Sequence, residues 1–517
     1  MSGRVAAEEW HTDVAVAGAG PTGLLLAAEL AMRGVRVVVL ERELDRPAFV
    51  RAFNLNARSL ELLDRRGIVD RFLAEGPKVQ ATHFAGLDLP LDLSALETDH
   101  PYALGIPQTR TEELLEQHAL ERGAELRRGH AVVAIAQDAE GVDVDVRVAA
   151  RGALPGLHRL RARWLVGCDG GRSTVRKLAR IAFPGTPATR WALLGDVELA
   201  EPGALEFGVH ATERGSVFVI PRPGYVRVIT SERVTPPDRG VPPTLGELAD
   251  AVSEVLGRDV RLVRPRWLTR FGDAARLAEH FRFGRVLLAG DAAHVHPPAG
   301  AQGLNAGLQD AFNLGWKLAA TVRGAAPPAL LHSYHTERHA AGERLLMQTR
   351  AQAELGRTDE RMAPVRALLR EVARVEGVPR ALAELVTGIG TRYDVADAAT
   401  MARQPWLGRL APNVALETAR GRTSIAERLR GGRALLIVRD ARTELANVVD
   451  ACDDVDVVRA RGRDTTSGWL AETDAALARP DGHLAWLATS AEDDAGSLER
   501  AVRKWTPCHS GQRAASL

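Results

Sequence analysis

Cysteine is scarce in this 517-residue chain: Cys168, Cys452 and Cys508 stand far apart, with no CxxC pair and no Cys/His cluster at metal-ligand spacing. That excludes a zinc site built on thiolates, and no metal is expected. It also argues against thiol exchange, which needs a paired thiol of low pKa. An excess of either charge is missing too, since 67 Lys and Arg stand against 66 Asp and Glu. No global field then recruits nucleic acid or an anionic membrane, so any partner is recognised locally. No apolar window approaches the roughly 20 uninterrupted residues of a membrane span. The N-terminus shows no succession of charged stretch, apolar run and small-residue cleavage site. A soluble cytoplasmic protein is expected, monomer or homodimer, long enough for about two to four domains.

What the sequence does hold starts with Asp13-Val-Ala-Val-Ala17, a short apolar run of the kind buried on both faces of a parallel sheet. It runs into Gly18-Ala19-Gly20-Pro21-Thr22-Gly23, then into the helix formers Leu24 to Met32, stopped by Arg33-Gly34. A second strand, Val35 to Leu40, ends on Glu41. The glycine spacing has a physical reason. Gly18 permits the tight turn, Gly20 lets backbone approach a pyrophosphate, and Gly23 lets the helix lie close to the sheet. Phosphate charge then meets unpaired N–H groups at the helix start. Glu41, about 20 residues on, is placed to accept ribose hydroxyls. A dinucleotide site is expected, and NAD and FAD both remain open from this unit alone.

Two downstream segments choose between them. Arg282-Phe-Gly-Arg-Val-Leu-Leu-Ala-Gly-Asp291 is a polar lead and an apolar strand ending on Gly290-Asp291. It continues Ala-Ala-His294-Val-His296-Pro297-Pro298-Ala-Gly300-Ala301-Gln-Gly303-Leu304-Asn305. An aspartate at a strand end can accept a hydrogen bond from a ribityl hydroxyl, and a glycine-rich turn offers N–H groups to the electron-rich edge of a flavin. The other segment is Trp164-Leu-Val-Gly-Cys168-Asp169-Gly170-Gly-Arg172-Ser173.

In their order and spacing these motifs resemble those of the class A flavoprotein aromatic hydroxylases, the family of para-hydroxybenzoate hydroxylase and phenol hydroxylase. The resemblance implies FAD held by Gly18, Gly20, Thr22, Gly23, Glu41, Arg42, Arg51, Gln108, Val132, Asp169, Asp291, Gly303, Leu304 and Asn305. Arg51 and Pro298 would lie closest to the chemistry. NADPH, with NADH as the alternative, would share the Asp169 segment, because no second GxGxxG unit is present. One departure falls in the flavin turn, where the family's Gly-Gly-Gln-Gly reads Gly300-Ala301-Gln302-Gly303, so a positive φ at Ala301 would carry strain.

The implied fold is α/β. A Rossmann-like FAD domain of the GR2 type covers residues 1–180 and 275–400, with 80–100 contributing to the substrate domain. An inserted antiparallel sheet covers 181–274, where the alternation Gly215-Ser-Val-Phe-Val-Ile-Pro-Arg-Pro-Gly-Tyr-Val-Arg-Val-Ile229 reads as two strands about a turn. Phe218, Ile220, Arg222, Tyr225 and Arg227 are candidates for the cavity lining. A helical bridge follows from Leu330. Residues 401–517 resemble the thioredoxin-like C-terminal domain of the phenol hydroxylase branch shared by actinobacterial polyketide and antibiotic hydroxylases, here without CxxC and read as structural.

The implied reaction reduces the flavin, adds O₂ to give a C4a-hydroperoxide, and transfers one oxygen to an electron-rich, bulky polyketide-type ring. The protein's share is positioning, water exclusion and charge stabilisation. His210, Tyr225 and His296 are the candidates for a base, although a lone histidine is more often structural. The rival reading is a Baeyer-Villiger oxygenation of a polycyclic ketone or quinone. A halogenase lacks support, since Val219-Ile220-Pro221 has no flanking tryptophans. A flavin-binding protein without turnover is disfavoured by the intact Asp291 and first motif.

Overall fold

A computed structural model describes residues 9–47, 49, 51–87, 90–149, 156–232, 241–327, 329–357, 360–450, 452–460, 468–471, 473–489 and 494–507. The strand Glu9–Ala17 pairs in parallel with Val37–Glu41 on one side and Gly156–Gly167 on the other. Val14, Ala15 and Val16 are wholly buried, which is why the run carries no polar residue. The sheet continues through Glu125–Arg128 at one side and Val286–Leu288 at the other, so the ends of the glycine-rich and Gly290-Asp291 motifs reach the same rim. The first helix, Pro21–Ala31, is buried from Gly23 to Leu30, and the long helix Gly303–Val322 packs against it.

A second, five-stranded antiparallel sheet runs in the order Gly208–Thr212, Gly215–Arg222, Tyr225–Glu232, Trp191–Leu199, Leu262–Gly272. Side chains alternate across it. Val217, Val219 and Val228 point into a buried cluster with Leu248 and Val252 of the helix Leu245–Leu256, whose start is closed by a Thr244/Glu247 capping box. The alternate residues Phe218, Ile220, Arg222, Tyr225 and Arg227 therefore share the opposite face, registered as Ile220 beside Arg227 and Arg222 beside Tyr225.

The C-terminal sheet runs Val455–Ala460, Ala434–Arg439, Ala475–Ala478, Leu484–Ala488, the first pair parallel and the others antiparallel. Its core takes in Trp316 and Ala320 from the long helix, so the domain is seated on the half that carries the glycine-rich motif. Arg66 strengthens the seat: it donates to Glu29 at 2.6 Å and 3.0 Å, and to the carbonyls of Leu429 and Pro480. Contrary to the expectation of isolated thiols, Cys452 is disulfide-bonded; Cys508 lies outside the described residues.

Candidate active site

The glycine-rich turn is shaped as its spacing requires. Gly18 has φ 104°, and a Cβ there would lie 2.5 Å from the Cys168 carbonyl oxygen. A Cβ on Gly23 would overlap the Gly18 carbonyl oxygen. Gly20 differs: its φ is ordinary and a Cβ would meet nothing within 4 Å. The close packing is thus carried by Gly18 and Gly23, while Gly20 faces open space in front of the first helix. That helix begins with Pro21 at its first position and no side-chain cap, so its terminal N–H groups remain available to a phosphate. The cradle fits a pyrophosphate.

Glu41 is used partly by the protein. Its Oε2 accepts from the Ala19 N–H at 2.8 Å and its Oε1 from the Glu43 N–H at 2.9 Å, which fixes the turn, and each oxygen keeps further acceptor capacity for a ribose. Arg42 is exposed and paired with Glu43. Val132 lies in the strand His130–Gln137 where its register with Val142–Val148 shifts. Asp169 holds its own turn: its carboxylate accepts from the Ser173 hydroxyl at 2.5 Å and from the N–H groups of Thr174 and Val175. Cys168 beside it is half-buried, and desolvation together with the neighbouring Asp169 pushes its thiol up.

Thr22 brings the distant motifs together. A Cβ on Gly290 would fall 2.7 Å from its hydroxyl, and one on Gly307 would overlap it. The first helix, the Gly290-Asp291 turn and the long helix therefore meet at one point. Asp291 is exposed, with no hydrogen bond or ion pair among the described residues. Pro298 is exposed as the turn Ala299–Ala301 starts, and Ala301 adopts φ 52°, the strained conformation its departure from glycine implied. Leu304 packs on the main core. The Asn305 side chain is spent internally: Oδ1 accepts from the Asn56 N–H and Ser59 hydroxyl, and Nδ2 donates to the carbonyls of Ala301 and Asn54. Any contact from Asn305 to a cofactor is left to its backbone.

A buried polar network behind this turn went unassigned in the sequence. Asp310 accepts from the Gly290 N–H at 2.8 Å, from His294 Nε2 at 2.8 Å and from Arg338 Nε at 2.6 Å. Burial alone would raise its pKa, but Arg338 and His294 hold it down at about 2. Arg338 also donates to the Tyr393 hydroxyl. The neighbouring Glu337 accepts from Lys317 at 2.8 Å, Asn313 at 2.7 Å and Arg479 at 2.6 Å, and Arg479 reaches Asp481. The C-terminal domain is thereby hydrogen-bonded to the helices that frame the Pro298 to Gly303 turn. A signal did exist: Asp310, Asn313 and Lys317 recur at helical spacing in an otherwise apolar segment.

The five-stranded antiparallel sheet meets the residues after Glu41. The Arg222 and Arg227 guanidinium groups lie 3.6 Å and 4.5 Å from the Phe53 ring centre, and Phe49 stacks on Trp267 at 4.6 Å. Arg227 is bidentate to the buried Asp196, at 2.7 Å and 2.8 Å, and also donates to the Arg51 carbonyl. Gln108 donates from its main chain to the Ala52 carbonyl and from its amide to Glu112, which places it beside Arg51. Phe218, Ile220 and Tyr225 stay half-buried on this face. His210 does not join them: it registers with Val217 on the helix side, its ring tied to the Glu206 carbonyl.

Residues 11–349 match the family model described as FAD binding domain, and residues 404–507 match aromatic-ring hydroxylase, C-terminal. The chain is 43% identical over 505 residues to a 12-dehydrotetracycline 5-monooxygenase/anhydrotetracycline 6-monooxygenase of Streptomyces rimosus, covering 95% of this chain and 98% of that one. It is 43% identical over 479 residues to a rifampicin monooxygenase of Streptomyces venezuelae, covering 92% and 95%. The solved structure of an anhydrotetracycline hydroxylase from Streptomyces rimosus superposes with a TM-score of 0.89 at 42% identity, covering 96% and 99%.

Proposed function

This chain belongs to the FAD-dependent aromatic-ring hydroxylases, and from that premise we propose that it inserts one oxygen atom of O₂ into a ring carbon of a bulky, polycyclic, polyketide-type phenol. NADPH is the proposed reductant, and Gly18, Gly20, Thr22, Gly23, Glu41, Arg42, Arg51, Gln108, Val132, Asp169, Asp291, Gly303, Leu304 and Asn305 are the proposed contacts of FAD. Bound FAD supplies the activation of oxygen. The chain's own residues do the rest: Gly20 and the first helix take the pyrophosphate, Asp291 takes the ribityl chain, and the turn Pro298 to Gly303 backs the ring. Arg222, Arg227 and Phe53 close the substrate sheet over them and keep water out.

The observation that carries this reading is the convergence at Thr22, which sets the open cradle at Gly20 and the unpartnered Asp291 on one rim. Ring hydroxylation is favoured over Baeyer-Villiger oxygenation by the match to the aromatic-ring hydroxylase C-terminal family and by the likeness to a solved anhydrotetracycline hydroxylase. The test is turnover of a panel of polycyclic phenols and ketones with NADPH, with products located by mass and NMR. New oxygen on a ring carbon supports the proposal. Oxygen inserted beside a carbonyl, or NADPH oxidation indifferent to every phenol, would refute it.

A further inference from the structure

His296 lies between the Gly290-Asp291 turn and the long helix, on a segment whose chemistry the FAD reading leaves unused. Its Nδ1 is 2.8 Å from the Pro297 carbonyl oxygen. A carbonyl only accepts, so Nδ1 carries the proton and, in the neutral ring, Nε2 keeps a lone pair. Burial and the neighbouring His294 lower the pKa of the ring, so the neutral form prevails at neutral pH.

The direction of that lone pair is informative. A Cβ built on Gly303 would lie 3.5 Å from His296 Nε2 and 3.9 Å from Asp291 Oδ1. Two acceptors therefore border one small space at the start of the helix Gly303–Val322. Neither has a hydrogen-bond donor among the described residues, and a side chain at Gly303 would occupy the gap between them. Two acceptors that receive no donor from the described residues and open on one space suit a ligand that carries two donors close together.

We propose that His296 is a cofactor-positioning residue, whose Nε2 accepts a hydrogen bond from one ribityl hydroxyl of FAD while Asp291 accepts from its neighbour. A vicinal diol satisfies both acceptors at once. On this account His296 fixes the sugar alcohol chain, and it is removed from the candidates for the reaction's base. The inference rests on FAD occupying the site, and its test separates the two claims.

The experiment measures the FAD dissociation constant by flavin fluorescence quenching for the full-length chain and for His296→Leu, His296→Gln and Asp291→Ala, with thermal melts of each apoprotein. It is repeated with FAD analogues lacking single ribityl hydroxyls. His296→Leu is expected to weaken FAD about tenfold, which is about 1.4 kcal/mol. His296→Gln, which keeps an acceptor, should restore most of that. One analogue should bind the wild type about tenfold less well than FAD yet bind His296→Leu no worse than FAD does. If His296→Leu fails to fold, His296→Ala, which also removes the acceptor, takes its place in the analogue series. Wild-type affinity in His296→Leu alongside weakened Asp291→Ala overturns this inference alone, as does equal sensitivity of wild type and His296→Leu to every analogue. Undiminished affinity in both variants overturns the placement of FAD itself.

Discussion

Asp310 accepts a hydrogen bond from the main-chain N–H of Gly290 at 2.8 Å, so the turn that presents Asp291 is fixed from inside the long helix. Asp310 is wholly buried, and Arg338 on its other side supplies the compensating charge at 2.6 Å. Asp310→Asn keeps the size but leaves the Arg338 guanidinium buried without its counter-ion. Breaking such a pair costs about 3 kcal/mol or more. Chemical denaturation of the apoprotein should show that loss, and the purified variant should retain less flavin. Unchanged stability together with full flavin content would mean the turn does not depend on Asp310.

Gly20 and Gly23 of the first motif should separate by experiment. Gly20→Ala adds a methyl group into open space, so the apoprotein should melt as the wild type does, while FAD weakens at least tenfold, roughly 1.4 kcal/mol. Gly23→Ala drives a Cβ into the Gly18 carbonyl and should lower the melting temperature of the apoprotein itself. Equal behaviour of the two variants in both assays would contradict the division between packing and ligand approach.

Acid should destabilise the chain in two stages. Burial pushes His483 down to about 4 from an ordinary 6.5. Between those values the unfolded chain binds a proton that the folded chain does not, so stability falls as pH drops from 6.5 to 4, by up to about 3 kcal/mol. Glu337 and Asp310 are held at about 2 against ordinary values of 4.5 and 3.8, burial being outweighed by Arg479 and Lys317 for the first and by Arg338 and His294 for the second. Their stabilisation is present above the ordinary carboxylate range and is lost as pH falls from about 4.5 to about 2. Denaturation curves of His483→Gln should show a shallower upper stage, the remainder belonging to His118 and His335, which burial also pushes down to about 4, and should keep the lower stage. A wild-type stability that is flat from pH 6.5 to 4 would contradict the burial of a neutral His483.

Legibility in the sequence followed the range of the interaction. The first motif could be read because its glycines answer local backbone demands, a positive φ at Gly18 and close approach at Gly23. The hairpin through Pro223-Gly224 could be read because its alternation is local as well. The strand Ala475–Ala478 could not: Ala-Ala-Leu-Ala has high helix propensity, and it is extended because it sits buried between Ala434–Arg439 and Leu484–Ala488. The Arg479 to Glu337 pair joins residues 142 apart, and the Arg338 to Asp310 pair joins residues 28 apart, so neither leaves a local pattern. Glu41 and Asn305 show a subtler gap, since both carry cofactor-like chemistry that the protein puts partly or wholly to its own use.

The central claim is that this site places one atom of dioxygen on an aromatic ring. Turnover of a polycyclic phenol with NADPH under ¹⁸O₂ tests it most directly. The account predicts a product carrying one ¹⁸O on a ring carbon, formed only when the protein holds FAD. An unlabelled product, a label beside a carbonyl, or labelled product from flavin-free protein would contradict it.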